Sequence, residues 1–265
     1  MSFTDIAYQV NDGVARITLN RPETYNAVRE HTKEELVIAL KEAAHDDSVR
    51  VIVIAGAGPN AFSSGADLSE PDFEQRDDSD PAIDYFRMIR ENPKPVIAMV
   101  DGFAIGSGNI LAYACDFTIA SDRSRFGQTG PRHGSPASGY LVGYLTQVVG
   151  QKKAREIWMR CRQYTAQQAL EMGLVNSVVP VDELEAEVEQ WCEDLKSCSP
   201  VILQLQKSTF NEVSDPLKVS SPTERYAPDY LDSEESLERR MAFLERRKPD
   251  PAKNLPLRTI EGKTI

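Results

Sequence analysis

PKPVIAMVDGFAIGSGNILAYACDFTIA, the stretch from Pro93 to Ala120, decides the fold. Its opening, Pro95–Val100, is an unbroken apolar run, the pattern of a strand covered on both faces. A glycine-bearing turn, Asp101–Asn109, follows. Ala104–Ala114 reads as a buried helix entered through glycines, and Phe117–Ser121 as the next strand. Strand, helix and strand in succession form a βαβ unit, which requires parallel pairing. Upstream, Val51–Ala55 is another run of the same kind. Tyr8–Val10 and Val14–Leu19 alternate around Asn11-Asp12-Gly13, the mark of a hairpin. Asn20-Arg21-Pro22 breaks that hairpin. His31–Ala44 then sets Leu36, Val37, Leu40, Ala43 and Ala44 at helical spacing. The expected class is α/β with a largely parallel sheet.

Downstream the character changes. Tyr140–Val149, Gln151–Cys161, Ala166–Gly173, Val181–Ser197, Pro200–Glu212 and Ser233–Lys248 all read as helices. Asp182 with Glu185 three residues later predicts a capping box. Between the last two helices the pattern fails at Pro216, Pro222 and Pro228. From Asp67 to Asp84 stand eight acidic residues against one basic, Arg76, which predicts a solvated, mobile loop.

Composition narrows the function. The chain has 265 residues, with 30 Lys+Arg against 41 Asp+Glu and a net charge of −11. A surface that acidic repels phosphate backbones, so nucleic acid is not an expected partner. No apolar run reaches the roughly 18 residues of a spanning helix, so no membrane span is expected. The first residues, MSFTDIAYQV, show no signal-peptide pattern. Cysteines at 115, 161, 192 and 198 show no C-x-x-C spacing and read as reduced thiols of a cytoplasmic protein. Histidines occur only at 31, 45 and 133 without metal-ligand spacing, so no metal is expected.

Three glycine-bearing stretches bear on chemistry. VIVIAGAGPNA (Val51–Ala61) imitates a dinucleotide fingerprint, but Pro59-Asn60 stands where the phosphate-binding helix would start, so a turn is expected. AFSSGADL (Ala61–Leu68) and DGFAIGSGN (Asp101–Asn109) both follow the carboxyl ends of buried strands, where open α/β folds place ligands. One reading is tight helix–sheet packing through small residues. The other is a pair of backbone N–H donors for an oxyanion, with Gly106-Ser107-Gly108 opening a helix. Ser107 is not a hydrolase nucleophile, because Ile105 and Asn109 occupy the glycine positions of G-x-S-x-G. FGQTGPRHGSPASGY (Phe126–Tyr140) is either a solvent loop or a rigid loop presenting Gln128, Thr129, His133 and Ser135.

The order NRP-x₃-NA at Asn20–Ala27, FSSGADL at Phe62–Leu68 and the Pro93–Ala120 stretch resembles the crotonase (enoyl-CoA hydratase/isomerase) superfamily. The likeness covers about residues 1–212 and returns in the last helix. FGQTGP and the segment Gly150–Pro180 are similar to the branch of 1,4-dihydroxy-2-naphthoyl-CoA synthases and 2-ketocyclohexanecarboxyl-CoA hydrolases. The resemblance implies a crotonase-like ββα spiral core over residues 1–200. It also implies a C-terminal helical trimerisation region over 201–265, and a homotrimer or homohexamer. The implied substrate is an acyl-CoA thioester, its carbonyl oxygen held by the backbone N–H groups of Ala66 and Ser107. CoA contacts carry over to Arg29, to Ser64, Gly65, Ala66, Asp67 and Leu68, and to Arg246.

The two glutamates of true hydratases are replaced here by Ile110 and Gly130. Gln128, Thr129, Gly130 and Trp158 match the branch's bicarbonate site, although Trp158 also reads as ordinary core. No tightly bound cofactor is implied. The branch's catalytic Asp and Tyr fall at Ala137 and Leu231, with Tyr230 one residue out of register. Ser135 matches a substrate-contacting Ser. His133 has no counterpart; it reads as a surface residue or as a titratable catalytic group. The resulting expectation is a lyase or hydrolase passing through a thioester enolate. Its reaction is C–C bond cleavage or formation, or ring-opening hydrolysis of a cyclic β-keto acyl-CoA. The alternatives are an enoyl-CoA hydratase or isomerase and a silent acyl-CoA binder.

Overall fold

A computed structural model describes residues 3–69, 84–135, 139–214 and 232–254. Most of the acidic segment, Ala137, the three prolines after residue 214, Tyr230 and Leu231 lie outside the described residues. Six strands form the larger sheet: β1 (Ile6–Asn11), β2 (Val14–Leu19), β3 (Val51–Gly56), β5 (Val96–Val100), β7 (Phe117–Ser121) and β10 (Ser177–Val179), in that spatial order. β1 and β2 are the expected antiparallel hairpin, with Asn11 opposite Val14. The remaining pairs are parallel. Four three-residue strands make a second sheet: β4 (Ala61–Ser63), β6 (Phe103–Ile105), β8 (Arg125–Gly127) and β9 (Gln163–Thr165).

Among the described residues the chain repeats one unit three times: a long strand, a short strand, then a helix. The units are β3-β4-α2, β5-β6-α3 and β7-β8-α4, where α2 is Tyr85–Glu91, α3 Ser107–Ala114 and α4 Gly130–His133. Each turn adds one strand to each sheet, which is the ββα spiral. The other helices are α1 (Glu30–His45), α5 (Gly139–Val149), α6 (Gln151–Arg160), α7 (Ala166–Glu171), α8 (Leu184–Ser197), α9 (Pro200–Ser214) and α10 (Glu234–Leu244).

The β-branched runs explain the layering. Successive side chains of a strand face opposite ways. On β3, Ile52 and Ile54 enter the main core, while Val51 and Val53 enter a second cluster with Ile97, Ile119, Leu184, Val188 and Cys192. α8 therefore covers one face of the sheet and the spiral helices cover the other. Each fully buried Ile or Leu contributes about 1.5–3 kcal/mol.

Two expectations need correction. The helix expected over Ala104–Ala114 begins only at Ser107, because Phe103–Ile105 pairs with β8 as a strand and Gly106, at φ 57°, turns the chain. The Asp182–Glu185 capping box does not form. Glu183 occupies the cap without a side-chain bond, and the Glu185 carboxylate is taken by Arg16 of β2. The dinucleotide-like stretch is a turn into β4, as expected. Among the described residues no helix is long and apolar enough to cross a membrane.

Candidate active site

Two backbone bends meet where β4 and β6 end. The first runs through Gly65 and Ala66. Val28 N–H donates to the Gly65 carbonyl at 2.7 Å, and Asp67 N–H donates to the Val28 carbonyl at 2.9 Å. These two bonds make a parallel bridge between Val28 and Ala66. In such a bridge the residue between the bonded pair turns its own N–H and C=O to the opposite side. Ala66 N–H therefore points away from Val28. The second bend is Gly106-Ser107, where Ser107 is the first residue of α3. A helix's first N–H groups have no partner within the helix and carry the positive end of its dipole. Neither Ala66 N–H nor Ser107 N–H donates to a protein acceptor among the described residues.

The bends approach through glycine. Gly65 adopts φ 101°, and a Cβ built there would stand 2.7 Å from the Ile105 oxygen and 3.1 Å from the Ser107 nitrogen. Only a residue without a side chain permits this approach.

The amides open on a cavity of about 420 Å³. Ala66 and Ser107 line it together with Ser64, Asp67, Leu68 and Ile110. Gln128, Thr129, Gly130, His133, Ser135 and Trp158 also line it. Gln128 is 1% exposed, and among the described residues both of its amide atoms lack a hydrogen-bond partner. The Trp158 indole N–H is likewise buried and unpartnered. Burying such groups unpaired costs about 1–3 kcal/mol each. A Cβ on Gly130 would meet the Ser135 carbonyl at 2.8 Å and Trp158 at 3.7 Å, so the glycine is what lets the Ser135 backbone pack this closely.

His133 closes α4, its ring 4.1 Å from that of Phe243 on α10. Burial, with the Arg132 charge beside it, lowers its pKa, so it stays neutral at pH 7. Asp67 also lines the cavity, but it is locked. Burial pushes its carboxyl up, while hydrogen bonds from Ser69 and Arg21 outweigh that and hold it below the usual range. Asp84, which caps α2 by accepting from Arg87 N–H at 2.9 Å, is shifted the other way: burial raises its pKa.

Comparison with known proteins bears on this geometry. The family model described as "Enoyl-CoA hydratase/isomerase" matches residues 9–253. The chain belongs to the enoyl-CoA hydratase/isomerase family. Among solved structures, an enoyl-CoA hydratase from Mycobacterium avium subsp. paratuberculosis K-10 is 30% identical, covering 94% of this chain and 99% of that one, with a TM-score of 0.82. A probable enoyl-CoA hydratase from Mycobacterium smegmatis is 35% identical over 80% of this chain and 87% of its own, with a TM-score of 0.71. A methylmalonyl-CoA decarboxylase in complex with 2-nitronate-propionyl-CoA is 27% identical over 94% and 98%, with a TM-score of 0.84.

In this enoyl-CoA hydratase/isomerase family member, most residues singled out in the sequence converge on one cavity. Ser64, Ala66, Asp67, Leu68, Ser107, Gln128, Thr129, Gly130, His133, Ser135 and Trp158 all line it, and Gly65 lies directly beneath. Arg29 and Arg246 do not line it. Arg29 forms a two-pronged pair with Asp5, Nε and Nη2 each 2.7 Å from a carboxylate oxygen. Arg246 is exposed just beyond the wall residues Phe243 and Leu244. Sequence reasoning missed Lys33, Asp84, Tyr85, Phe86, Phe243 and Leu244, which also line the cavity. The only local signal was Asp84, a cap residue at the end of the acidic run.

Proposed function

We propose that this protein converts a cyclic or β-keto acyl-CoA through a thioester enolate, by C–C bond cleavage or formation or by ring-opening hydrolysis, in the manner of the naphthoate-synthase and ring-hydrolase branch. The observation that carries the reading is the pair of amides, Ala66 and Ser107, that donate to no acceptor among the described residues and line a cavity shared with Gln128 and Trp158. The two N–H groups hold the thioester oxygen. As the α-carbon loses a proton or a C–C bond breaks, charge grows on that oxygen and both hydrogen bonds strengthen. Losing one such donor costs about 2.7–4 kcal/mol of transition-state stabilisation.

The cavity offers no carboxylate pair at 110 and 130, where Ile110 and Gly130 stand, so water addition by two carboxylates there is unsupported. Gln128, Thr129 and Trp158 offer an amide, a hydroxyl and an indole N–H, donors suited to a small planar anion. Bicarbonate bound there would supply a proton acceptor. The chain's own titratable group in that wall is His133, neutral at physiological pH and thus able to take a proton. Ser135 lies in the same wall and orients the acyl group. The methylmalonyl-CoA decarboxylase relative supports enolate-forming carbon chemistry in this fold.

The CoA thioester enters past Ser64 and Leu68. The exposed Val201, Leu205, Phe210 and Val213 of α9 support burial of this helix against another copy of the chain, as in a trimer or hexamer. The decisive experiment is incubation with 2-ketocyclohexanecarboxyl-CoA, with and without bicarbonate. Turnover is expected; no reaction in either arm refutes the reading. A second reading, hydration or isomerisation, is favoured by one observation: Asp84, a carboxyl group of raised pKa on the cavity wall. Crotonyl-CoA turnover abolished by Asp84→Asn would establish it instead.

A further inference from the structure

Arg21 stands at the join between the two segments that aim the Ala66 amide. Its side chain is 13% exposed and does not line the cavity. One guanidinium nitrogen, Nη1, donates to the Ala27 carbonyl at 2.7 Å and to Asp67 Oδ2 at 3.0 Å. Ala27 precedes Val28 on one side of the bridge, and Asp67 follows Ala66 on the other. A single donor thus clips together the neighbours of both bridge residues.

Each end of the clip is itself fixed. Asp67 Oδ1 accepts from the Ser69 N–H at 3.1 Å and hydroxyl at 2.6 Å. Arg21 N–H donates to Asn26 Oδ1 at 3.0 Å, and Asn26 Nδ2 donates to the Ala57 and Ala61 carbonyls. Arg21 Nε lies 3.8 Å from Asp5, whose carboxylate also takes Arg29 and Thr32. A guanidinium is a planar, pre-organised fork, whereas an ammonium is a mobile point donor. Hydrogen-bond strength falls steeply with angle, and a tilt of the Ala66 N–H weakens the charged state of the carbonyl more than the neutral one.

We propose that Arg21 is a positioning residue for catalysis: by tying Ala27 to Asp67 across the Val28–Ala66 bridge it fixes the direction of the Ala66 N–H, and with it the grip on the developing oxyanion. The inference rests on the enolate reading above. The test compares wild type, Arg21→Lys and Arg21→Met with acetoacetyl-CoA as probe. The readouts are the ultraviolet band of its bound enolate, α-proton exchange in D₂O, affinity for free CoA, and melting temperature.

Expected for Arg21→Met is loss of the enolate band and exchange slowed about 10–100-fold, with KM and free-CoA affinity within about threefold of wild type. Arg21→Lys, whose ammonium lacks the fixed fork, recovers only part of the band. Arg21→Gly recovers exchange when guanidinium is added at non-denaturing concentration. A folded Arg21→Met that keeps band and exchange overturns the inference. So does a parallel loss of CoA affinity, melting temperature and rate, or failure of guanidinium to rescue a folded Arg21→Gly. A wild-type protein that binds acetoacetyl-CoA with neither band nor exchange overturns the enolate reading and the role of Arg21 with it.

Discussion

Gly65→Ala tests the two-amide arrangement most directly. The added methyl would sit 2.7 Å from the Ile105 carbonyl oxygen and 3.1 Å from the Ser107 nitrogen, with both neighbours being backbone. Neither can rotate away, so the Ala66 and Ser107 segments must move apart by several tenths of an ångström. The positive φ of 101° adds strain of about 1–3 kcal/mol. The expected result is a melting temperature lower by several degrees. The α-proton exchange rate falls about 10²–10³-fold, as when an oxyanion donor is removed. Gly150→Ala is the control. It has φ 77° with nothing within 4 Å of a Cβ, so it bears comparable backbone strain without touching the site. Its exchange rate stays at the wild-type value. The assay is deuterium incorporation into a bound acyl-CoA followed by NMR, beside thermal unfolding of both variants. If Gly65→Ala, folded, exchanges within about threefold of wild type, the amides are not the oxyanion site.

Three further outcomes are expected. The lowered pKa of His133 means its neutral, proton-accepting form persists below the ordinary imidazole value of about 6.5. The acid limb of a kcat/KM profile should lie below that value and vanish in His133→Asn. Trp158→Phe removes a buried donor while keeping most of the ring, so bicarbonate-dependent activity should fall about tenfold or more with little change in melting temperature; equal bicarbonate response in both proteins would contradict the proposed subsite. Asp5, 2% exposed, is desolvated by burial, yet the Arg29 and Thr32 hydrogen bonds and the nearby guanidinium charges bring its pKa to about 2. Because the folded value lies below the unfolded one, its stabilisation of about 2 kcal/mol is complete only above about pH 5 and is lost progressively as the pH falls through about 2. Asp5→Asn should flatten that part of the stability curve in acid titrations followed by circular dichroism.

The larger sheet was legible because its strands are long enough to show a pattern: Val51–Ala55 and Pro95–Val100 are apolar on both faces and are covered on both. The second sheet was not legible. Three residues such as Ala61–Ser63 or Phe103–Ile105 carry no period, and the apolar Ala104-Ile105 merged into the helix that follows. The two bends that carry the Ala66 and Ser107 amides were readable because glycine at strand ends is a local signal. Lys33, Asp84 and Phe243 reach the cavity from α1, α2 and α10, and no local pattern announces a meeting set by tertiary packing. Arg29 was placed by resemblance at the CoA; its two short bonds to Asp5, which hold the start of α1 against the lead-in to β1, had no local signal.

The wall formed by α10 has a consequence for synthesis. Ser236 donates its hydroxyl to the Gly134 carbonyl, and Phe243 and Leu244 complete the cavity, more than 100 residues after Ala66 and Ser107. During synthesis the Ala66 and Ser107 amides therefore emerge long before the α10 wall of the cavity does. The cavity is therefore complete only once Glu234–Leu244 has docked against α4.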